Sequence, residues 1–336
     1  MVKPVPVPPE LVEFIMTGGK FILAGHKEPD GDCIGASLAL RSALKRLGKE
    51  VILCSAGPFK RTEIKPYEHL FIASPGDAER RNAQVIIMDC SSSERTGDLE
   101  ARIAGLPLAF IDHHSAGVRP GAGAVVYLDP EAPSVTSMIL TLIEALGLKP
   151  TQEEAEYLLF GFCTDTGFFR HIDAGNMEAF VRAGRMVGAG ASPKKVFNAI
   201  NGGKSFNSRI LLGIQLSRVE KYFDGRLIYT CEEYEETRCF GLEGRDSDSL
   251  YQLLLSVTDV EVIIVIRQET PERCTVGLRS RDWVDVAAVA ADFGGGGHKN
   301  AAGFAVSSII ADLKPRILSR FERIFTAVSQ EPAASG

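Results

Sequence analysis

The stretch Gly25-His26-Lys27-Glu28-Pro29-Asp30-Gly31-Asp32-Cys33-Ile34-Gly35 follows the apolar run Phe21-Ile22-Leu23-Ala24. It leads into a segment whose apolar residues recur at helical spacing, at Ile34, Leu38 and Leu44. A short apolar run bounded by glycine is typical of a buried strand. The stretch is therefore predicted to be a loop that joins a strand to a helix. In open α/β sheets such loops lie at the carboxyl edge of the strands, where ligands bind.

This first loop brings together an imidazole and two carboxylates, those of His26, Asp30 and Asp32. Such a set suits a hard or borderline divalent metal ion. The alternative is an ordinary acidic loop that caps the helix. That alternative would account for Asp32 near the helix N-terminus but would leave His26 and Asp30 without a role. The loop alone leaves the two interpretations balanced, and three later segments favour the metal site.

Two further strand-like runs end in polar residues that suit the same kind of site. Val85 to Met88 ends at Asp89, and Leu108 to Ile111 ends at Asp112-His113-His114. We expect both to project from the sheet edge that carries the first loop. For Asp89 alone, a turn rich in serine and aspartate is the simpler alternative. Adjacent histidines point in different directions, so at most one is expected to face a given metal, which leaves the other for substrate.

The fourth polar segment is Gly161-Phe162-Cys163-Thr164-Asp165-Thr166-Gly167. It follows a helix that the capping-box sequence Thr151 to Glu154 is predicted to begin. Asp165 lies in apolar surroundings, and a buried carboxylate is costly without a partner. A metal ion would be such a partner. A network of threonine hydroxyls and backbone N–H groups is the alternative.

Length and composition indicate a soluble globular protein. The chain has 336 residues, of which 45% are hydrophobic, and this predicts two domains with substantial cores. Its net charge of −6 argues against coating long nucleic acid but allows a local basic pocket for a short nucleotide. The seven cysteines form no C-x-x-C pair, so neither a disulfide framework nor a structural zinc site is expected. The sequence has no signal-peptide or membrane-spanning pattern, so a cytoplasmic location is expected.

Four consecutive glycines mark the C-terminal part of the chain, within Gly294 to Phe304. Such a run lets a backbone approach a ligand closely. We predict a loop whose N–H groups cradle an anion, with His298, Lys299 and the preceding Arg279 supplying positive charge for phosphate. A flexible surface loop is the alternative.

Together, these segments resemble the DHH family of phosphoesterases, in the two-domain form with a DHH-associated C-terminal domain. The first loop resembles the family's first motif and Asp89 its second. Asp112-His113-His114 resembles the motif that names the family, and Gly161 to Gly167 the fourth. Gly294 to Phe304 resembles the glycine-rich phosphate-binding motif of the associated domain. The resemblance covers nearly the whole chain.

The resemblance implies an α/β fold. We expect a mainly parallel sheet flanked by helices in a DHH domain over residues 1–200, which carries a dinuclear metal site. A linker helix is expected over residues 201–220. A smaller α/β domain with a mixed sheet, which binds substrate, is expected over residues 221–330.

The resemblance also assigns roles to residues. It implies a first metal site formed by His26, Asp30 and Asp89, and a second formed by Asp32, Asp89, His113 and Asp165, with Asp89 shared. The family typically uses Mn²⁺, while Mg²⁺, Co²⁺ or Fe²⁺ would also suit these ligands. The expected catalytic residues are Asp32, Asp89 and His114, of which His114 contacts the substrate phosphate. The expected substrate-binding residues of the associated domain are Arg279, Gly295, Gly296, Gly297, His298 and Lys299.

The chain's organisation is similar to the stand-alone nanoRNase/pAp phosphatase branch of the family. That branch degrades very short RNA to mononucleotides and dephosphorylates 3′-phosphoadenosine 5′-phosphate (pAp), with a metal-activated water as nucleophile. Two alternatives stay open: a phosphodiesterase for cyclic di-adenylate or linear dinucleotides, and a catalytically silent nucleotide-binding regulatory module. The expected partners are short RNA or small nucleotides, with no long duplex and no membrane. A homodimer is left open.

Overall fold

The computed structural model describes residues 5–90, 92–114, 123–241 and 244–329. The chain divides into two compact units, Met1–Gly203 and Lys204–Gly336. The helix Phe206–Ser217, which falls within the expected linker over residues 201–220, belongs to the second unit.

The first unit is built on a five-stranded parallel sheet. Its strands are β1 (Lys20–Gly25), β2 (Glu50–Cys54), β3 (Ala83–Met88), β4 (Leu108–Asp112) and β5 (Val125–Leu128). They lie in the order β2-β1-β3-β4-β5. Apolar clusters pack on both faces, which explains why β1 and β3 are almost continuously apolar. Gly25 pairs with Met88, so the loops after β1 and β3 leave the sheet at the same edge.

Eight α-helices of the described residues belong to this unit. They are α1 (Pro9–Thr17), α2 (Gly31–Arg46), α3 (Asp77–Arg80), α4 (Glu100–Ile103), α5 (Val135–Ala145), α6 (Gln152–Asp165), α7 (Met177–Gly188) and α8 (Pro193–Asn201). The capping box predicted before α6 is confirmed. The Thr151 hydroxyl accepts from the Glu154 N–H at 3.2 Å, and the Glu154 carboxylate accepts from the Thr151 N–H at 2.9 Å. Helix α6 runs further than the predicted segment and ends at Asp165 itself.

Two glycines allow α2 and α6 to pack closely against each other. A Cβ on Gly35 of α2 would lie 2.6 Å from the Tyr157 carbonyl oxygen of α6. A Cβ on Gly161 of α6 would lie 3.0 Å from both the Asp32 Cα and the Gly31 carbonyl oxygen. Real Cβ atoms do not approach backbone atoms this closely without a shift of the chain. The glycines therefore set the distance between the helix that begins beside Asp32 and the helix that ends at Asp165.

The second unit carries a six-stranded mixed sheet. Its strands are β6 (Glu220–Tyr222), β7 (Leu227–Glu232), β8 (Val262–Thr270), β9 (Arg273–Ser280), β10 (Gly296–His298) and β11 (Ala301–Ser307). They lie in the order β10-β11-β9-β8-β7-β6, and β7 and β8 form the parallel pair. Its helices are α9 (Phe206–Ser217), α10 (Tyr234–Phe240), α11 (Ser247–Leu255), α12 (Val286–Ala291) and α13 (Ile310–Ser329). One face packs against α12 and α13, and the other against α9 and α11.

The predicted α/β class, with a parallel N-terminal sheet and a mixed C-terminal sheet, is confirmed. One prediction is wrong in part: Gly296–His298 is a strand rather than a loop, because it pairs antiparallel with β11. The strand β11 and the helix α13 were not predicted. The sequence also predicts a frayed tail from Gln330 onward, and these residues lie outside the part of the chain that the structure describes. Within the described part of the chain, no helix is both long and apolar enough to cross a membrane.

Candidate metal centre

Asp89 follows the last residue of β3 and adopts an unusual backbone conformation. Its φ is +56°, a left-handed value that costs free energy for a residue other than glycine and persists mainly at functional sites. Its N–H donates to the Ile111 carbonyl at 2.9 Å, which fixes the residue against β4. The side chain is buried, yet Oδ1 has no hydrogen-bond partner among the described residues. A buried carboxylate oxygen without a partner fits a bound cation.

The first loop brings His26 and Asp30 to this carboxylate. His26 Nε2 lies 3.4 Å from Asp89 Oδ2 and 3.8 Å from Asp30 Oδ1. His26 Nδ1 lies 2.9 Å from the Lys27 carbonyl oxygen, which leaves Nε2 for the carboxylates. Asp30 also caps α2, because its Oδ1 accepts from the N–H groups of Asp32 and Cys33. Asp30, rather than Asp32, therefore caps the helix. The same Asp30 oxygen also lies near His26, so Asp30 can both cap α2 and act as a metal ligand.

A second cluster joins Asp32, His113 and Asp165, whose ligand atoms all lie within 4.8 Å of one another. His113 Nε2 is 3.4 Å from Asp165 Oδ2 and 3.7 Å from Asp89 Oδ1. His113 Nδ1 is 3.0 Å from the Ala132 carbonyl oxygen, so that contact orients the ring.

Asp32 points across to the N-terminus of α5. Its carboxylate accepts from the Val135 N–H at 2.5 Å, the Thr136 N–H at 2.9 Å and the Thr136 hydroxyl at 2.6 Å. The positive end of a helix dipole favours a carboxylate there. These bonds hold Asp32 in one orientation, and the carboxylate oxygens keep further lone pairs for a ligand.

His114 has surroundings different from those of its neighbour. Its Nδ1 lies 2.7 Å from Asp112 Oδ1 and 3.6 Å from Asp89 Oδ1. The same Asp112 oxygen accepts from the backbone N–H groups of both histidines. The hydrogen bond to Asp112 raises the pKa of His114. The His114 side chain is 41% exposed, so its Nε2 edge is accessible to a substrate while Nδ1 is held from behind.

Burial and the nearby charges shift the pKa values of several side chains in the two clusters. Burial raises the pKa of Asp165 to about 6, and burial together with repulsion from Asp89 and Asp165 raises the pKa of Asp32 well above its usual range. Burial lowers the pKa of His26, but the carboxylates of Asp30 and Asp89 outweigh it and raise that pKa to about 10. A divalent cation would reverse these shifts, since it favours charged carboxylates and neutral imidazoles. The donor set therefore fits metal ions.

The predicted substrate residues of the second unit lie around β10. His298 on β10 and Arg279 on β9 both pair with Ala301, so they share one row across three strands. The Arg279 guanidinium lies 4.5 Å from the centroid of the Tyr251 ring. A Cβ on Gly297 would lie 2.4 Å from the Ala301 carbonyl oxygen, which explains the glycine there. Because β10 is the edge strand of this sheet, alternate N–H groups face away from β11.

Comparisons with known proteins agree with this geometry. The model of the DHH family N-terminal domain matches residues 20–162, and that of the DHHA1 domain matches residues 234–327. The chain is 31% identical over 322 residues to the bifunctional oligoribonuclease and PAP phosphatase NrnA of Thermus thermophilus, covering 95% of this chain and 92% of that protein. The chain belongs to the DHH family of phosphoesterases. Both parts of the resemblance, the DHH domain and its associated domain, are thereby confirmed.

Two further comparisons match at lower identity. The chain is 27% identical to the cyclic-di-AMP phosphodiesterase GdpP of Bacillus subtilis, over 93% of this chain and 49% of that protein. Its fold matches the crystal structure of an exopolyphosphatase-related protein from Bacteroides fragilis with a TM-score of 0.76 at 23% identity. That match covers 94% of this chain and 96% of the other.

Three groups that hold candidate site residues in place were not predicted from the sequence. Asp112 holds His114, Thr136 holds Asp32, and the Ala132 carbonyl holds His113. Asp112 could have been found, because it opens the Asp-His-His motif. Thr136 has no local sequence signal for this role, since its contact with Asp32 spans 104 residues. A backbone carbonyl carries no sequence signal at all.

Proposed function

We propose that this DHH phosphoesterase hydrolyses short oligoribonucleotides to mononucleotides and removes the 3′-phosphate of pAp. The observation that carries the proposal is that Asp89 belongs to two groups of possible ligand atoms that lie within 4.8 Å of one another, one with His26 and Asp30 and the other with His113 and His114. The likeness to NrnA over nearly the full length of both proteins supports this substrate class.

The proposed metal ligands are the residues of the two clusters, namely His26, Asp30, Asp32, Asp89, His113 and Asp165. Mn²⁺ is the proposed ion, because a carboxylate-rich set with a minority of imidazoles suits it. When bound, such ions polarise a phosphoryl oxygen and lower the pKa of a bound water. The protein's own contribution is to fix the ligands through bonds from behind, as Thr136 does for Asp32.

His114 is proposed to contact the substrate phosphate. Asp112 accepts a hydrogen bond from Nδ1–H and favours the protonated ring. The Nε2–H group is then left as a charge-assisted donor. Charge-assisted hydrogen bonds to phosphate are about twice as strong as neutral ones. In the second unit, Arg279, His298, Lys299 and the glycines of β10 are proposed to bind the rest of the nucleotide.

The test compares initial rates with Mn²⁺ on di- to pentaribonucleotides, a long single strand, pAp and cyclic di-adenylate. We expect rapid cleavage of dinucleotides and of pAp, slow cleavage of the long strand, and rates lower by about 10²-fold or more on every substrate for Asp89→Asn. A clear preference for cyclic di-adenylate would favour the alternative that the likeness to GdpP suggests. If the protein binds metal and nucleotide but hydrolyses none of the substrates, a regulatory nucleotide-binding module would be favoured. The cytoplasmic location and the homodimer stay predictions.

A further inference from the structure

A cavity of about 490 Å³ opens beside Asp165 in the first unit. It is lined by three segments: residues 130–133, Asp165 with Thr166, and residues 171–176. Its volume lies in the range of small-molecule sites. None of the substrate-binding residues proposed above lies in this cavity.

Two of the residues that line the cavity, Ala132 and Asp165, contact the same imidazole of the candidate metal centre, that of His113. The Ala132 carbonyl oxygen lies 3.0 Å from His113 Nδ1, and Asp165 Oδ2 lies 3.4 Å from His113 Nε2. A substrate phosphate held at the metal centre would therefore have this cavity next to it. The substrate group attached to the phosphate on the side of Ala132 and Asp165 would lie in this cavity or at its opening.

A left-handed turn places His171 in the cavity wall. Gly167, Phe168 and Phe169 have φ values of +54°, +56° and +70°, so three successive residues turn the chain back on itself. The His171 N–H donates to the Thr166 carbonyl at 3.1 Å, and a Cβ on Gly167 would lie 2.8 Å from the His171 ring. Bulky residues adopt such φ values at a cost, and this strain is typical of functional sites. The turn holds His171 over the residues that follow Asp165.

The Arg170 guanidinium also orients the ring of His171. Arg170 Nη2 lies 3.2 Å from His171 Nε2. Because a guanidinium can only donate, Nε2 accepts, and the neutral ring carries its proton on Nδ1. His171 thus offers a flat aromatic face and a single N–H donor.

The acidic and apolar residues that line the cavity indicate which chemical groups it can bind. The carboxylates of Glu131, Asp165 and Asp173 line it, and they disfavour a second phosphate. Pro130 and Ile172 supply apolar surface for a flat ring. An uncharged group with polar edges, such as a nucleobase with its ribose, meets both conditions.

We propose that this cavity binds the nucleoside adjacent to the scissile phosphate, and that His171 contacts it. The proposal rests on the proposed function in that the ligand is part of a nucleotide substrate. It adds a substrate site on the metal-bearing unit itself, separate from the residues around β10.

The test uses two cavity variants and one control. His171→Ala removes the contact, Ala174→Trp fills the cavity, and His69→Ala alters an exposed histidine outside it. The substrates are the diadenylate pApA and two methyl esters, adenosine 5′-(methyl phosphate) and adenosine 3′-(methyl phosphate), each lacking the nucleoside on one side. Bound Mn²⁺ per chain is measured for every variant and should equal that of the wild type.

We expect both cavity variants to lower kcat/KM for pApA by about 10-fold or more, in line with the contribution of a stacked base, while His69→Ala has no effect. The loss should persist on one methyl ester and vanish on the ester that lacks the nucleoside bound in the cavity. Equal losses on both esters, or no loss on pApA, would overturn the proposal.

A second measurement separates this proposal from the proposed function, because it needs no turnover. Wild-type protein is photocrosslinked with 8-azidoadenosine 5′-monophosphate, and the labelled peptides are mapped by mass spectrometry. Labels at residues 130–133 or 165–176, displaced by excess AMP and reduced in Ala174→Trp, support the cavity even if pApA is not cleaved. Labels confined to other residues would overturn it even if pApA is cleaved.

Discussion

Asp89 combines three features that are individually costly: a left-handed backbone, a buried carboxylate, and an oxygen without a partner among the described residues. A bound cation would remove the last two costs and offset the first. Asp224 offers a natural comparison, because it has nearly the same φ of +58° but is exposed in the second unit. Asparagine tolerates the left-handed region as aspartate does, so replacing either residue with asparagine tests charge and leaves the backbone undisturbed.

Asp89→Asn should lose bound Mn²⁺ and lower kcat/KM by about 10²-fold or more, since even the outer partners of metal ligands contribute 10- to 100-fold. Without metal, the substitution removes repulsion towards Asp32 and Asp165 but also attraction to His26, so its Tm should stay close to that of the wild type. Metal content, initial rates and thermal unfolding measure these effects. Asp224→Asn should leave all three unchanged. Wild-type metal content in Asp89→Asn would contradict the shared ligand.

Metal content and initial rates should also distinguish the roles of the adjacent residues His113 and His114. His113→Ala removes an imidazole 3.4 Å from Asp165 and should lower bound Mn²⁺ towards one ion per chain. His114→Ala removes a ring held by Asp112 and should keep both ions while kcat falls by about 10²-fold. Equal metal loss in the two variants would show that His114 is a ligand as well.

At the level of elements, the sequence predicts most of the parallel sheet, because three of the four motifs of the first unit follow a short apolar run that is a strand. β3 before Asp89 and β4 before His113 are examples. The prediction fails for β10, whose glycines have low strand propensity and are held in a strand only by pairing with β11. It also misses the bond from Thr136 to Asp32, because only the fold brings α5 to the first loop.

The glycine contact between α2 and α6 gives an element-scale prediction. Gly161→Ala should push α6 away from Gly31 and Asp32, since the new Cβ would meet backbone atoms at 3.0 Å. Separation of Asp32 from Asp165 should weaken Mn²⁺ binding at least 10-fold and lower the Tm. Titration calorimetry and thermal unfolding measure the two effects.

Gly184→Ala on α7 is the matched control, because nothing lies within 4 Å of its added Cβ. Alanine in a helix interior is favoured over glycine by roughly 0.5–1 kcal/mol, so this variant should unfold at a slightly higher temperature with unchanged Mn²⁺ affinity. A loss of metal affinity in both variants, or in neither, would mean that close α2–α6 packing does not set the ligand geometry.

At the level of the whole molecule, the two units carry different halves of the proposed chemistry. The six proposed metal ligands belong to the first unit, whereas Arg279, His298 and Lys299 belong to the second. If both units contribute to transition-state binding, the second unit should matter only for substrates large enough to reach it. This expectation distinguishes a substrate-binding second unit from one that merely stabilises the fold.

His298→Ala should therefore lower kcat/KM for pApA and pAp by about 10²-fold, the range typical of losing one positioned donor to a charged group. Hydrolysis of bis(p-nitrophenyl) phosphate should fall much less, because that substrate has no nucleoside and no second phosphate for the row of His298 and Arg279 to bind. Lys221→Ala, an exposed change on β6 of the same unit, should alter neither rate. Equal losses on nucleotide and nitrophenyl substrates would place His298 in the chemical step or in folding. In that case the associated domain would no longer be needed to explain the preference for short nucleotides, and the cavity beside Asp165 would have to supply it.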